Sequence, residues 1–286
     1  MPVEPPVESP RTLTEAYALL ASDAYRPVAG GTDLLVQITG ELGEPPERVL
    51  DIWHLDELRG IRVESNALVL GALTTYAEIR RSPLVAEFLP AFAEAAATIG
   101  AAQIQNRGTI GGNAVNASPA GDMLPLLLAC DAQLVVGAAG GERWVAAGDF
   151  WPAYRRTALA PNELLLRISV PLATSRQVRY RKVGTRRAQA ISKVVMALAW
   201  QADDGVEAAW RNVHLALGSV AAVPMRAPQT ESVLEGAAPT EATADRAAST
   251  LASEITPIDD VRSSADYRRA VAARVLHRLI REQGDW

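Results

Sequence analysis

The sequence predicts a mixed α+β protein of two domains, and three observations carry that prediction. The chain has 286 residues, 49% of them apolar, which is long for a single core and suits two. Up to Pro171, apolar strand-like runs alternate with helical patterns. Beyond Pro171 come two long apolar runs joined by Asp203-Asp204-Gly205, a hairpin signal, and then a helical tail, which together fit antiparallel strands with helices.

Taken in order, Thr12 to Ser22 is a helix, because a hydroxyl cap precedes Glu15 and apolar residues spaced by three and four. RPVAGGTDLL reads as strand, glycine turn and helix start, and after the loop GELGEPPE the segment RVLDIWHL is a buried strand. IRVESNALVLGALTT is a strand pair turning at Ser65-Asn66. Alanine-rich Pro83 to Ile99 is one or two helices, followed by a glycine-rich loop, TIGGNAVNASPAGD. Met123 to Cys130 is a short helix with Pro125 in its first turn, where a missing N–H costs nothing, and Ala132 to Val136 is a strand. NELLLRISVPLATS is an apolar strand stopped by Pro171, which places the domain boundary there. QVRYRKVG and the two runs of KVVMALAWQADDGVEAAWRNVHLALGSV supply the second domain's strands, and the tail from Thr240 is helical with solvated charges.

Several functions are disfavoured. The net charge of −5 is mixed along the chain, without the basic stripe that a nucleic-acid backbone requires. The first residues lack a cationic start followed by an apolar stretch, and no window approaches a membrane span, so the expectation is a cytoplasmic protein. One cysteine, Cys130, forms no internal disulfide, iron–sulfur or zinc-thiolate site and reads as a buried thiol. His54, His214 and His277 lack carboxylates at ligand spacing, so no metal site is expected. Ser118 is not in a nucleophile elbow, and covalent catalysis has no candidate.

Two glycine pairs, Gly30-Gly31 and Gly111-Gly112, stand out against this background. Such a pair lets the backbone turn with its N–H groups aimed one way, a concavity suited to a phosphate, or it is an ordinary turn. Neither pair has a following lysine or GxGxxG spacing, which excludes the Walker and Rossmann patterns. Thr32 and Asp33 either cap the helix starting at Leu34 or, for the Thr32 hydroxyl, donate to a phosphate oxygen. Asp122 either caps the following helix or accepts from a ribose hydroxyl. Arg179, Arg181, Lys182, Arg186, Arg187 and Lys193 are a solvated strand or a cationic wall facing an electron-rich ligand or partner.

AGGTDLL, NRGTIGGNAVNASPAGDMLPLLLACDAQL, RKVGTRRAQAISKV, LALGSVAAVPMRA and PIDDVRSSADYRR, in that order, resemble the flavoprotein subunit of molybdenum hydroxylases of the carbon monoxide dehydrogenase and xanthine dehydrogenase type. The resemblance implies a vanillyl-alcohol-oxidase (PCMH)-type FAD-binding domain of two α/β subdomains over residues 1–173 and a smaller α+β domain over 176–284. It implies a first pyrophosphate loop at Ala29, Gly30, Gly31, Thr32, Asp33 and Leu34, and a second at Gly108, Thr109, Gly111, Gly112 and Asn113. Asn116 and Asp122 match positions lining the FAD, and Lys182 and Ile191 match positions near the flavin ring. The chain departs from relatives with an extra cluster in this subunit, since it has only Cys130, and from those with basic or aromatic residues where it has Ala101-Ala102.

The expected function is electron transfer through non-covalently bound FAD, with no catalytic side chain in this subunit. Electrons come from iron–sulfur clusters of a small partner and a molybdopterin centre of a large one, in a dimer of heterotrimers, and leave to NAD+ or a quinone. The alternatives are a self-sufficient flavin oxidase or reductase of the same fold, and an FAD-free assembly subunit.

Overall fold

The computed structural model describes residues 5–40, 44–173, 175–186, 188–202, 209–284 and 286. The expected loop GELGEPPE lies partly outside these residues, and the expected Asp203-Asp204-Gly205 turn wholly so. Three sheets organise the chain. The first is parallel, in the order β1 (Val7–Glu8), β3 (Val49–Asp51), β2 (Arg26–Val28), with α1 (Leu13–Ser22) and α2 (Leu34–Thr39) in its crossovers. Thr12 caps α1, its hydroxyl accepting from Glu15 N. The strand expected over RVLDIWHL is only three residues long, because Asp51 turns the chain by accepting from Trp53 N at 2.9 Å.

The second sheet is antiparallel throughout, in the order β4 (Ile61–Glu64), β5 (Ala67–Gly71), β8 (Leu164–Pro171), β6 (Gln133–Ala138), β7 (Gly141–Ala146). Ser65 and Asn66 form the β4–β5 turn at φ of 49° and 60°, the paired left-handed geometry of a tight hairpin. Between β5 and β6 run α3 (Tyr76–Arg81), α4 (Pro83–Phe88), α5 (Pro90–Thr98), α6 (Ala102–Gln105), α7 (Ile110–Asn116) and α8 (Leu124–Ala129), and α9 (Ala147–Phe150) follows β7. The glycine-rich stretch is therefore not all loop: Gly111 and Gly112 lie in the first turn of α7, under a Thr109 cap.

The third sheet is antiparallel, β12 (Met225–Arg226), β11 (Trp210–Gly218), β10 (Val194–Ala202), β9 (Arg176–Val183). One face carries α10 (Pro228–Leu234), α11 (Glu241–Glu254) and α12 (Ala265–Gly284). The run VVMALAW of β10 is apolar at every position because both faces of the strand are covered. Val195, Ala197 and Ala199 join the main core of the N-terminal domain, with Phe92, Met123, Leu126 and Ile168. Met196, Leu198 and Trp200 face Leu251, Leu276 and Leu279, and Trp200 stacks on Trp210 at 4.6 Å. The two faces of β10 thus join two separate apolar cores, one on each side of the strand.

Candidate functional site

Ala29–Asp33 carry the chain from β2 into α2, and Gly31 takes φ +75°, a left-handed conformation that favours glycine. The N–H groups of Gly30, Gly31, Thr32, Asp33 and Leu34 have no acceptor among the described residues, so the loop presents a run of free donors. Asp33 stands at the N-cap position of α2 without making a cap bond; its carboxylate accepts from Asn116 Nδ2 at 3.0 Å instead. The expected capping role is corrected accordingly, the side chain being drawn to a residue 83 positions away.

The second motif differs. Ile110 N donates to Thr74 O (3.0 Å), Gly111 N to Ala72 O (2.9 Å) and Asn113 N to Thr109 O (3.0 Å). Gly112 N donates to Thr109 Oγ1 at 3.0 Å. The start of α7 has no free N–H, so the two glycine pairs are not equivalent donors. A Cβ on Gly111 would lie 2.5 Å from Ala72 O, and one on Gly30 would lie 1.7 Å from Arg107 O. Gly30 and Gly111 are therefore glycine because backbone packs against them, and the Gly30 contact sets the first loop directly on the second.

Between the loops is a cavity of about 500 Å3, within the usual range for a small-molecule or cofactor site. Ala29, Gly31, Thr32, Asp33, Leu34, Thr109, Gly111, Gly112, Asn113 and Asn116 all line it. Gly30 and Gly108 pack beneath it, Gly108 against the Tyr76 ring. Asn113 Oδ1 is buried with no hydrogen-bond partner among the described residues. Burial raises the Asp33 carboxyl above its ordinary value, with the Arg155 cation acting against that rise. Arg155 also donates to Asn116 Oδ1 at 3.4 Å, which links Asp33, Asn116 and Arg155 along one wall. Tyr76, Arg155, Thr157 and Leu165 also line the cavity and escaped the sequence reading. Only Tyr76 carried a signal, the Thr75–Glu78 capping box that opens its helix.

Asp122, Lys182 and Ile191 are placed elsewhere. Asp122 does not cap α8, whose N-terminus makes no side-chain cap bond. Its carboxylate accepts from Lys182 Nζ at 2.7 Å and from the Ser192 hydroxyl, and Lys182 also donates to Thr98 O at 2.9 Å. The Lys182 and Asp122 side chains are 8% and 10% exposed, so a buried ion pair joins the two domains. Burial raises the Asp122 carboxyl, and Lys182 and Ser192 pull in the other direction. Ile191 is 56% exposed in the loop between β9 and β10.

The cationic run does not form an open wall. Arg179 lies over Trp200, Arg181 pairs with Glu282 at 2.5 Å, and Lys193 sits over the Tyr267 ring at 4.9 Å. Arg186 donates to Ala188 O and Gln189 O of its own loop. Arg187 lies outside the described residues. His214 is 3.0 Å from Asp131, His277 is 3.3 Å from Asp245, and burial pushes the Cys130 thiol up to about 11. Among the described residues no group of three or more His, Cys, Asp or Glu side chains is placed to hold a metal ion. Nor is any helix among them long and apolar enough to cross a membrane.

Two family descriptions match in sequence: "FAD binding domain in molybdopterin dehydrogenase" over residues 3–173 and "CO dehydrogenase flavoprotein C-terminal domain" over 179–283. The chain is 33% identical to the nicotinate dehydrogenase FAD-subunit of Eubacterium barkeri, covering 95% of this chain and 93% of that one. It is likewise 33% identical to the carbon monoxide dehydrogenase medium chain of Hydrogenophaga pseudoflava, over 95% and 94%. A solved structure of carbon monoxide dehydrogenase from that organism superposes with a TM-score of 0.91 at 32% identity, over 97% of this chain and 96% of the other. Quinoline 2-oxidoreductase from Pseudomonas putida 86 superposes with a TM-score of 0.91 at 26% identity, over 98% and 97%.

Proposed function

Because this chain belongs to the family of FAD-binding medium subunits of molybdenum hydroxylases, we propose that it binds FAD non-covalently in the cavity between its two glycine motifs and serves as an electron-transfer subunit. The observation that carries the reading is the first loop, where the unpaired N–H groups of Gly31, Thr32, Asp33 and Leu34 belong to residues that line a cavity large enough for a cofactor. Donors of this kind suit a pyrophosphate, which needs many hydrogen bonds and no proton transfer. Asn113 Oδ1, buried without a partner among the described residues, adds an acceptor that a sugar hydroxyl or a ring N–H of a bound dinucleotide would satisfy. The residues present therefore fit the group.

In this reading Gly31, Thr32, Asp33 and Leu34 hold the pyrophosphate through backbone N–H, and the Thr32 hydroxyl adds a donor. Gly112 keeps the opposite wall clear, since only Thr109 Oγ1 lies within 4 Å of where its Cβ would be. Asp33 and Asn116 orient hydroxyl groups, and Arg155 offsets the charge of Asp33. Asp122, Lys182 and Ile191 belong to the flavin end, with the Asp122–Lys182 pair fixing the second domain over it. Bound FAD supplies the redox chemistry, and the side chains bind, orient and exclude water. Electrons are supplied by the iron–sulfur clusters of a small partner and the molybdopterin centre of a large one, and leave to an acceptor such as NAD+ or a quinone.

The experiment is an anaerobic titration of the flavin-loaded chain with aldehydes, purines and other hydroxylase substrates, before and after addition of the small and large subunits. The expected result is no bleaching of the flavin alone and bleaching once the partners are present. Bleaching before they are added would overturn the subunit reading in favour of a self-sufficient oxidoreductase, and a colourless chain that takes up no FAD would favour an assembly subunit.

A further inference from the structure

Tyr76 opens α3, and its place at the junction of the two glycine motifs is fixed from three sides. Thr75 and Glu78 form a capping box around the helix start, and Tyr76 N donates to Gly108 O at 3.2 Å. A Cβ on Gly108 would lie 2.8 Å from Tyr76 Cε2, so the ring is pressed onto the glycine that precedes the second motif. Gly30 of the first loop packs on the same Arg107–Gly108 backbone. The ring thus stands where the two loops meet, and it lines the cavity between them.

Its hydroxyl has no protein partner. Tyr76 is 3% exposed, and no hydrogen bond from its oxygen is recorded among the described residues. The hydroxyl is not sealed inside the core either: among the described residues, the fully buried side-chain polar atoms without a partner are Asn113 Oδ1 and Arg268 Nε. Burial, and then the nearby carboxylates of Asp33 and Asp122, hold the phenol well above its ordinary value, so at neutral pH it is a hydrogen-bond donor. An almost buried donor with no acceptor is costly, and such groups in native proteins have a partner in water or a ligand.

We propose that the Tyr76 hydroxyl donates a hydrogen bond to a phosphate oxygen of the dinucleotide held between the two glycine motifs. The acceptor is assigned by position: Gly31 to Leu34, whose N–H groups are free, line the same cavity as the Tyr76 ring, and a phosphate oxygen is the acceptor that one loop of donors and a phenol share. No hydrogen bond joins the hydroxyl to the Asp33 carboxylate, whose Oδ1 accepts from Asn116 Nδ2 at 3.0 Å. The proposal rests on the dinucleotide reading above and adds to it a side-chain ligand that neither glycine motif contains.

The test is Tyr76→Phe, which keeps the ring on Gly108 and removes only the donor. Affinities of the stripped wild-type and variant chains are measured for FAD by flavin fluorescence and for ADP, which shares the pyrophosphate and adenosine half, by competition. The expected result is a loss of roughly tenfold for both ligands, the value of one hydrogen bond to a charged acceptor, with unfolding of the ligand-free chain unchanged. Unchanged FAD affinity would overturn the proposal. Weaker FAD binding with unchanged ADP binding would also overturn it, placing the hydroxyl on the flavin half. Failure of the wild-type chain to bind either ligand would instead sink the dinucleotide reading itself, and this inference with it.

Discussion

At Gly30 a Cβ would meet the Arg107 carbonyl oxygen at 1.7 Å, whereas at Gly112 the nearest atom is the side-chain hydroxyl of Thr109, at 2.9 Å. Equal residues therefore answer to different demands, and two variants separate them. Gly30→Ala forces backbone apart and should destabilise the ligand-free chain by about 1–3 kcal/mol in urea unfolding. Gly112→Val should leave a folded chain, valine being no worse than glycine in a helix, and abolish retention of FAD by filling the cavity, as measured by flavin released on denaturation. Asp122→Asn tests a third kind of residue: it leaves the Lys182 ammonium buried without its charge partner and should cost on the order of 3 kcal/mol in the ligand-free protein. A loss of FAD affinity without that loss of stability would mean that the pair is not structural. The glycine pairs stand out in sequence because their signal is local, whereas Asn113 and Asn116 are named only through the family resemblance. The partners of Asp33 and Asp122 were not legible, because Asn116, Lys182 and Ser192 reach them from 83, 60 and 70 residues away.

Elements with a local start or stop were the readable ones. Thr12 and Thr240 cap their helices through their hydroxyls and Ser65-Asn66 makes its hairpin, whereas α7, under its Thr109 cap, was hidden in what reads as a glycine-rich loop. α3, α10 and the β7 strand went unread: six- and seven-residue helices are too short to show a period, even with the Thr75–Glu78 capping box that opens α3, and the four exposed residues that begin β7 carry no apolar alternation. The start of α12 is held by chemistry invisible to periodicity. Asp260 Oδ1 accepts from Arg268 Nη2 at 2.7 Å and from the N–H groups of Arg262 and Ser263 at 2.8 and 3.1 Å. Burial acts to raise the Asp260 carboxyl, but these donors together bring it below the ordinary value. A lowered folded-state value means stability that is present above the unfolded value near 4 and lost as pH falls through the folded one. Asp260→Asn, which leaves the 5% exposed Arg268 side chain unpaired, should cost about 3 kcal/mol at neutral pH. The gap between wild type and variant should close on acidification below about pH 4, and a gap independent of pH would contradict the ionic role.

Across the whole molecule, one strand serves two apolar cores, and the proposed cofactor site stands beside the larger of them. β10 gives Val195, Ala197 and Ala199 to the N-terminal core and Met196, Leu198 and Trp200 to the C-terminal one, while the Asp122–Lys182 ion pair and the 3.0 Å contact of His214 with Asp131 tie the same boundary. The order of motifs made the family and its architecture legible from sequence, yet left unseen that the cations of this segment are engaged by Trp200, Glu282, Asp122 and Tyr267. The most direct test of the central claim is the flavin content of the purified chain. After incubation with excess FAD and gel filtration, absorbance of the denatured supernatant should give close to one FAD per chain for the wild type and none for Gly112→Val. A wild-type chain that elutes without flavin, or a Gly112→Val chain that retains it, would contradict the assignment of the cavity between the two glycine motifs as the FAD site.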